Sequence, residues 1–194
     1  SGKCEGLACV AWALVIPTKQ ASSPGPHAEW KNHGAALIAP DGAPVVSGLF
    51  DTKIDLGDGD RLPGGVSNAF VSRRTRRGDF DYASTFPLST AYNATYETWI
   101  SSRRFDKAGK LVVAGMNYSQ GMQVGTASVY SNGYRDGWVA KIDPASGAAL
   151  WAVGLGGEHD EYTAAVISDA NGDVYTTGFS NSKAVSFRND EPEK

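Results

Sequence analysis

An all-β protein built from a repeated unit is what this sequence predicts, on three observations. Glycine supplies 23 of its 194 residues, aromatic side chains make up 10%, and a glycine-spaced strand pattern returns at intervals of about 65 residues. Glycine at well above the usual share of about 7% suits many short strands joined by tight turns. Helical periodicity is nowhere sustained.

The repeat is anchored by three pairs of glycines. Gly42 stands six residues before Gly48, Gly109 before Gly115 and Gly172 before Gly178; the second members lie 67 and 63 residues apart. Between them run Val45-Val46-Ser47, Leu111-Val112-Val113-Ala114 and Val174-Tyr175-Thr176-Thr177. The pattern predicts a turn at each first glycine and the end of a strand at each second. Other positions keep step: Leu56, Val124 and Phe187 follow the anchor by eight or nine residues. Asn68-Ala69-Phe70-Val71 and Asp136-Gly137-Trp138-Val139 follow it by about twenty.

Each unit is expected to hold four short strands. Its first hairpin pairs Ala164-Ala165-Val166-Ile167 with Val174-Tyr175-Thr176-Thr177 across Asp169-Ala170-Asn171-Gly172. Glycine-containing connections of this kind close antiparallel strands. Its second pairs residues 137–142 with 148–151 across Asp143-Pro144-Ala145-Ser146-Gly147. There aspartate caps the backbone, proline presets φ and glycine supplies positive φ. Four strands per unit at this repeat length fit a β-propeller blade, ahead of a β-solenoid, whose rungs are shorter, or a sandwich, which would not repeat its loop chemistry in register. The expected organisation is about three partial four-stranded blades of a larger ring: a partial blade over 1–29, repeats over 30–92 and 93–157, and a partial repeat over 158–194. In this reading the chain opens and closes inside a repeat, and three partial units cannot close a ring of about four to eight blades.

The motifs Asn171-Gly172-Asp173-Val174-Tyr175-Thr176-Thr177-Gly178 and Asp136-Gly137-Trp138-Val139-Ala140-Lys141-Ile142-Asp143, followed by Leu150-Trp151 and Leu155-Gly156-Gly157, resemble the SBBP family of β-propeller repeats. The resemblance is closest over the last 60 residues, fair in the middle copy and decayed in the first. Ser101-Ser102-Arg103-Arg104 stands where an apolar strand belongs, and Ser72-Arg73-Arg74 where the family pattern has Ala-Lys-Leu. The resemblance implies an extracellular or cell-surface protein with a structural or binding role, and supplies no catalytic residues.

Composition narrows the remaining classes. A net charge of −3 gives no basic field for nucleic acid. The longest apolar stretch, residues 7–17, falls short of the roughly 18 residues of a membrane span. No basic flank, apolar run and small-residue cleavage site mark a signal peptide at the start. Cys4 and Cys9 either close a short local disulfide or pair outside the chain, and no second pair or nearby histidine completes a four-ligand metal site.

Several residue groups carry chemistry in principle. Asp169, Asn171 and Asp173 alternate as calcium ligands do, but lack the distal bidentate glutamate; a hairpin turn is the simpler reading. Asp55, Asp58 and Asp60 form a second acidic loop, for which a solvated turn is likewise the simpler reading. His159, flanked by Glu158 and Asp160, has the neighbours of a base or a metal ligand, yet falls in a connection between units and reads as surface charge. Arg73, Arg74, Arg76 and Arg77, with Arg103 and Arg104, have the chemistry to grip phosphate, sulfated glycans or an acidic subunit; a solvated hairpin tip is the plainer account. Asn93 and Asn117 head sequons near predicted strand ends, and in a eukaryotic, extracellular setting are the expected glycosylation sites. Trp138 and Trp151 flank one hairpin and are expected to fill the space between blades rather than stack on carbohydrate.

No nucleophilic elbow or phosphate loop is present. The expected function is therefore non-catalytic, with no cofactor, and the resemblance implies an extracellular or cell-surface module. Its partners would be other subunits or the remaining blades, with glycans, and neither nucleic acid nor membrane insertion. The alternative is a fragment of a quinoprotein-like propeller dehydrogenase, because Lys141-Ile142-Asp143-Pro144-Ala145-Ser146-Gly147 and Leu150-Trp151 also resemble the repeat of pyrroloquinoline-quinone enzymes.

Overall fold

The computed structural model describes residues 34–50, 53–61, 68–87, 97–118, 121–131 and 133–188. They form fifteen strands: β1 (Ala35–Ile38), β2 (Pro44–Phe50), β3 (Ile54–Asp55), β4 (Asp60–Arg61), β5 (Asn68–Arg74), β6 (Phe80–Phe86), β7 (Glu97–Phe105), β8 (Leu111–Tyr118), β9 (Gly121–Val124), β10 (Ala127–Tyr130), β11 (Asp136–Ile142), β12 (Ala149–Gly156), β13 (Glu161–Ser168), β14 (Val174–Ser180) and β15 (Ser186–Arg188). The protein is all-β, with several antiparallel sheets. A first sheet runs β1-β2-β5-β6, a second β7-β8-β11-β12 with β15 added beyond β12, and β13 pairs with β14. Two small hairpins, β3–β4 and β9–β10, lie between the second and third strands of the two larger sheets.

Turn chemistry is repeated with the strands. The hairpins β1–β2, β7–β8 and β13–β14 close on Gly42, Gly109 and Gly172, with φ of 81°, 77° and 89°. In this left-handed region a Cβ is strained. Each glycine N–H donates to the carbonyl three residues back: Ala39 at 2.7 Å, Asp106 at 3.0 Å and Asp169 at 3.2 Å. The carboxylates of Asp41, Asp106 and Asp169 accept backbone N–H groups of their own turns. The side chain thus supplies hydrogen bonds that the tight backbone cannot make for itself.

The two large sheets pack face to face. Ala69, Val71 and Phe86 of the first meet Leu111, Val113, Trp138, Ala140 and Ile142 of the second in one core, which Met122, Val124 and Val129 of the β9–β10 hairpin complete. Phe86 and Trp138 meet at 5.6 Å between ring centroids. The opposite face of the second sheet, through Val112, Ala114, Val139 and Leu155, packs on Val166 and Val174 of β13–β14. β8 and β11 are therefore covered on both sides, which is why they read as near-continuous apolar runs rather than alternating ones. Successive units are also joined at their edges in a repeated way. The N–H of Gln123 in β9 donates to the carbonyl of Pro87, just past β6, at 2.8 Å, and Ser186 and Phe187 of β15 pair with Gly156 and Leu155 of β12.

One expectation is corrected. Gly48, Gly115 and Gly178 do not end strands; β2, β8 and β14 run on through them for two or three residues. In the second and third units the first strand is bulged opposite this glycine, at Ile100/Ser102 and at Thr163/Ala165. The bulge turns the carbonyls of Trp99 and Tyr162 onto Gly115 and Gly178, where a Cβ would collide with them. These glycines mark a close backbone approach inside a strand, a reading that glycine allows equally well. The polar run in β7 has its own explanation. Ser101 Oγ lies within hydrogen-bonding distance of the carbonyls of Ala114 and Thr163, to either of which its one proton can be donated, and Ser102 Oγ accepts from Val166 N at 3.1 Å. The serines thus bond across to β13, where an apolar strand would make only contacts.

Candidate functional site

The arginine cluster is the strongest charge feature in the sequence, and the fold uses most of it internally. Arg73 in β5 pairs with Asp41 and, at 2.8 Å, with Asp81. Arg76 donates through Nε and Nη2 to the carbonyl of Asp41. Arg74 is buried: it donates to the carbonyl of Leu56 and lies 5.3 Å from the Phe80 ring centroid. Arg103 is half-buried between the sheets and donates to Ser47 Oγ, and burial lowers its pKa. The expected solvated tip is thus a latch that closes the β5–β6 hairpin onto the β1–β2 turn.

The second unit repeats that latch with other residues. Lys141, one strand position equivalent to Arg73, pairs through Nζ with the buried carboxylate of Asp106 at 2.6 Å. Burial alone would raise the Asp106 pKa, but the hydrogen bonds from Lys141 and from Lys110 N outweigh it, and the net shift is downward. Asp143 in the neighbouring turn is also lowered, first by the N–H of Ala145 and then by Lys110, whose Nζ lies 3.2 Å away.

His159 sits beside a shallow cleft of about 380 Å³ that Tyr118, Tyr134, Arg135, Asp160 and Asn181 also line. Arg135 lies 5.4 Å from the Tyr118 ring centroid and 3.9 Å from Asp160. The loop is braced by Glu161, whose carboxylate accepts Gly157 N at 2.7 Å and Ser180 Oγ at 2.6 Å. Rings, guanidinium, imidazole and carboxamide here suit a polar ligand held by stacking and hydrogen bonds; the cleft places no nucleophile against a base. Arg135, Tyr134 and Asn181 were not singled out in the sequence. The signal available was that Tyr118 and Asn181 both stand three residues after an anchor glycine, and so fall at the same edge.

The remaining expected positions fall as follows. Asp169 Oδ1 accepts from the N–H groups of Asn171 and Asp173, and Asp55 Oδ1 accepts from those of Gly57 and Gly59. Among the described residues no group of three or more histidine, cysteine, aspartate or glutamate side chains gathers as a metal would require. Asn117 lies in β8 opposite Thr98 and Asp136, and is only 1% exposed, so the folded sheet does not present it to solvent. Asn93, Cys4 and Cys9 lie outside the described residues. Trp138 is fully buried as expected, whereas Trp151 is partly exposed, because β12 lies toward the edge of its sheet and β15 covers only residues 154–156 of it. No helix among the described residues is long and apolar enough to cross a membrane.

An apolar surface lies at the last hairpin. Ile167, Tyr175, Phe179, Val185 and Phe187 are all exposed, and Tyr162 and Phe179 stand ring to ring at 5.9 Å. Phe187 is 70% exposed, while its repeat counterparts Leu56 and Val124 are 0% and 1%. The fold defines a class: an all-β protein of several antiparallel sheets packed on one another. No protein-family model matches the chain, and no curated protein matches it either.

Proposed function

We propose that this chain is a run of blade-like units of a β-propeller and serves as a non-catalytic structural or binding module of a larger protein or assembly, in an extracellular or cell-surface setting. The observation that carries the reading is the repeated way one unit holds the next. Each large sheet buries one face against the following unit, and in the second and third units a strand beyond the anchor glycine hooks the edge of the preceding sheet, at Gln123 to Pro87 and at Ser186 to Gly156. A ring of blades is made by repeating that relationship. The resemblance of the Asp136 to Asp143 and Asn171 to Gly178 motifs to SBBP repeats points the same way, and is the support for the extracellular setting.

The test is made on the purified protein. Small-angle scattering is expected to fit stacked sheets, and the preparation is expected to be colourless and inactive towards dye-coupled dehydrogenase substrates. A quinone absorption band, or dye reduction that follows the protein through purification, would overturn the non-catalytic reading.

A further inference from the structure

The cleft beside His159 is held in shape by the fold itself. Its walls come from separate segments: Tyr118 at the end of β8, Tyr134 and Arg135 just before β11, His159 and Asp160 between β12 and β13, and Asn181 just past β14. The backbone ties these segments together. Glu161 N donates to the carbonyl of Arg135 at 2.6 Å, Asn181 N to the carbonyl of Asp160 at 2.9 Å, and His159 N to Ser182 Oγ at 2.8 Å. The carboxylate of Glu161, only 3% exposed, accepts from Gly157 N, Ser180 Oγ and Ser182 N, so one buried side chain braces two of the walls. Gly133 approaches the same loop so closely that a Cβ there would collide with the carbonyls of His159 and Gly157. A ligand entering such a frame loses little affinity to loop ordering.

The groups inside select by charge as well as by shape. Arg135 and Asp160 set one guanidinium against one carboxylate, and their formal charges cancel. Nitrogen and oxygen stand 3.9 Å apart, beyond a hydrogen bond, so each keeps its own donors or acceptors for a third group. An anionic ligand would face Asp160, and a cationic one Arg135. Guanidinium offers only donors and carboxylate only acceptors, while the Asn181 carboxamide and the Tyr134 hydroxyl offer both. Neighbouring hydroxyl groups, each a donor and an acceptor, satisfy such a set. Arg135 is steadied over the Tyr118 ring, 5.4 Å from its centroid. Tyr134 is 66% exposed and offers an amphipathic ring on which the C–H face of a sugar can lie. The volume of about 380 Å³ is at the small end for ligand sites and suits the end of a saccharide.

We propose that this cleft is a carbohydrate-binding site for the end of a neutral glycan, its ring stacked on Tyr134 and its adjacent hydroxyls shared among Arg135, Asp160 and Asn181. The proposal rests on the reading of the chain as a binding module, and gives that module a ligand class and a place for it at the junction of the second and third units.

The whole chain is tested on an array of immobilised neutral glycans set beside uronate-bearing and sulfated ones. Retention on neutral glycans is expected, and calorimetric titration with the best-retained sugar as a free disaccharide should give saturable binding with Kd of about 1 mM or tighter. Tyr134→Ala and Arg135→Ala are each expected to weaken that binding about tenfold or more with the melting temperature unchanged. Tyr134→Phe keeps the ring and is expected to bind within about threefold of the native chain. Tyr175→Ala, which removes an exposed ring outside the cleft, is expected to bind as the native chain does. No retention on neutral glycans, retention confined to the acidic ones, or neutral binding that Tyr134→Ala and Arg135→Ala both leave intact would each overturn the proposal. Those outcomes leave the module reading standing; it fails instead on a quinone band or dye reduction in the sugar-free protein, so the two failures are distinguishable.

Discussion

The indole of Trp138 lies directly across the strand pair from Gly115, and the carbonyl of Trp99 closes on the same glycine from the other side. One residue without a side chain thus lets a bulged strand and a fully buried ring meet within a single sheet.

Replacement of Gly115 by alanine puts a methyl group into both neighbours at once. Overpacking of this kind costs about 3 kcal/mol where neither neighbour is free to move. Urea titration of Gly115→Ala should show the midpoint falling with no change in slope, whereas Gly59→Ala, whose Cβ would meet nothing within 4 Å but whose φ is 112°, should lose only the smaller cost of backbone strain.

The ion pair of Asp106 and Lys141 makes stability depend on acid. The folded pKa of Asp106 lies below its ordinary value of 3.8, so its contribution is fully present above that value and is lost as pH falls through the folded pKa. Asp106→Ala leaves Lys141 without its buried partner and should cost about 3 kcal/mol at neutral pH. Thermal melts from pH 6 down to pH 2 should fall less steeply for the variant than for the native chain.

Arg74 and Arg77 stand three residues apart and should behave oppositely. Arg74 is buried against Phe80 and the carbonyl of Leu56, so Arg74→Ala should lower stability by about 2 kcal/mol, the scale of a lost charged hydrogen bond. Arg77 is exposed at the turn, and Arg77→Ala should stay within about 0.5 kcal/mol of the native chain. Denaturant unfolding of both variants separates the latch from the hairpin tip.

Asn117 heads a sequon but is enclosed by its sheet. Intact-mass analysis of protein secreted by a eukaryotic host is expected to show no glycan at this residue in the folded fraction. A glycan found there in natively folded material would show that the end of β8 opens.

Much of the architecture was legible in the chain because it is written locally. The glycine turns at 42, 109 and 172, the hairpin across Asp169 to Gly172 and the hairpin across Asp143 to Gly147 each depend on residues a few positions apart. The insert hairpins β3–β4 and β9–β10 were visible only as apolar positions in step with the anchor, since two to four residues are too few to set a period. The cleft at His159 joins residues from four separate segments, and no local pattern announces such a meeting. The arginines were misjudged for the same reason: their acceptors, Asp41 and the Leu56 carbonyl, are far away along the chain.

The sequence by itself determined the repeat, the strand and turn identities and the all-β class, because backbone conformation and alternation are properties of neighbouring residues. Only the tertiary structure decided which surfaces the units share, why an anchor glycine sits inside a strand rather than at its end, and that the ring of Trp138 lies over Gly115. Those are relations between strands, fixed by which faces can exclude water together, and they exist only once the sheets have stacked.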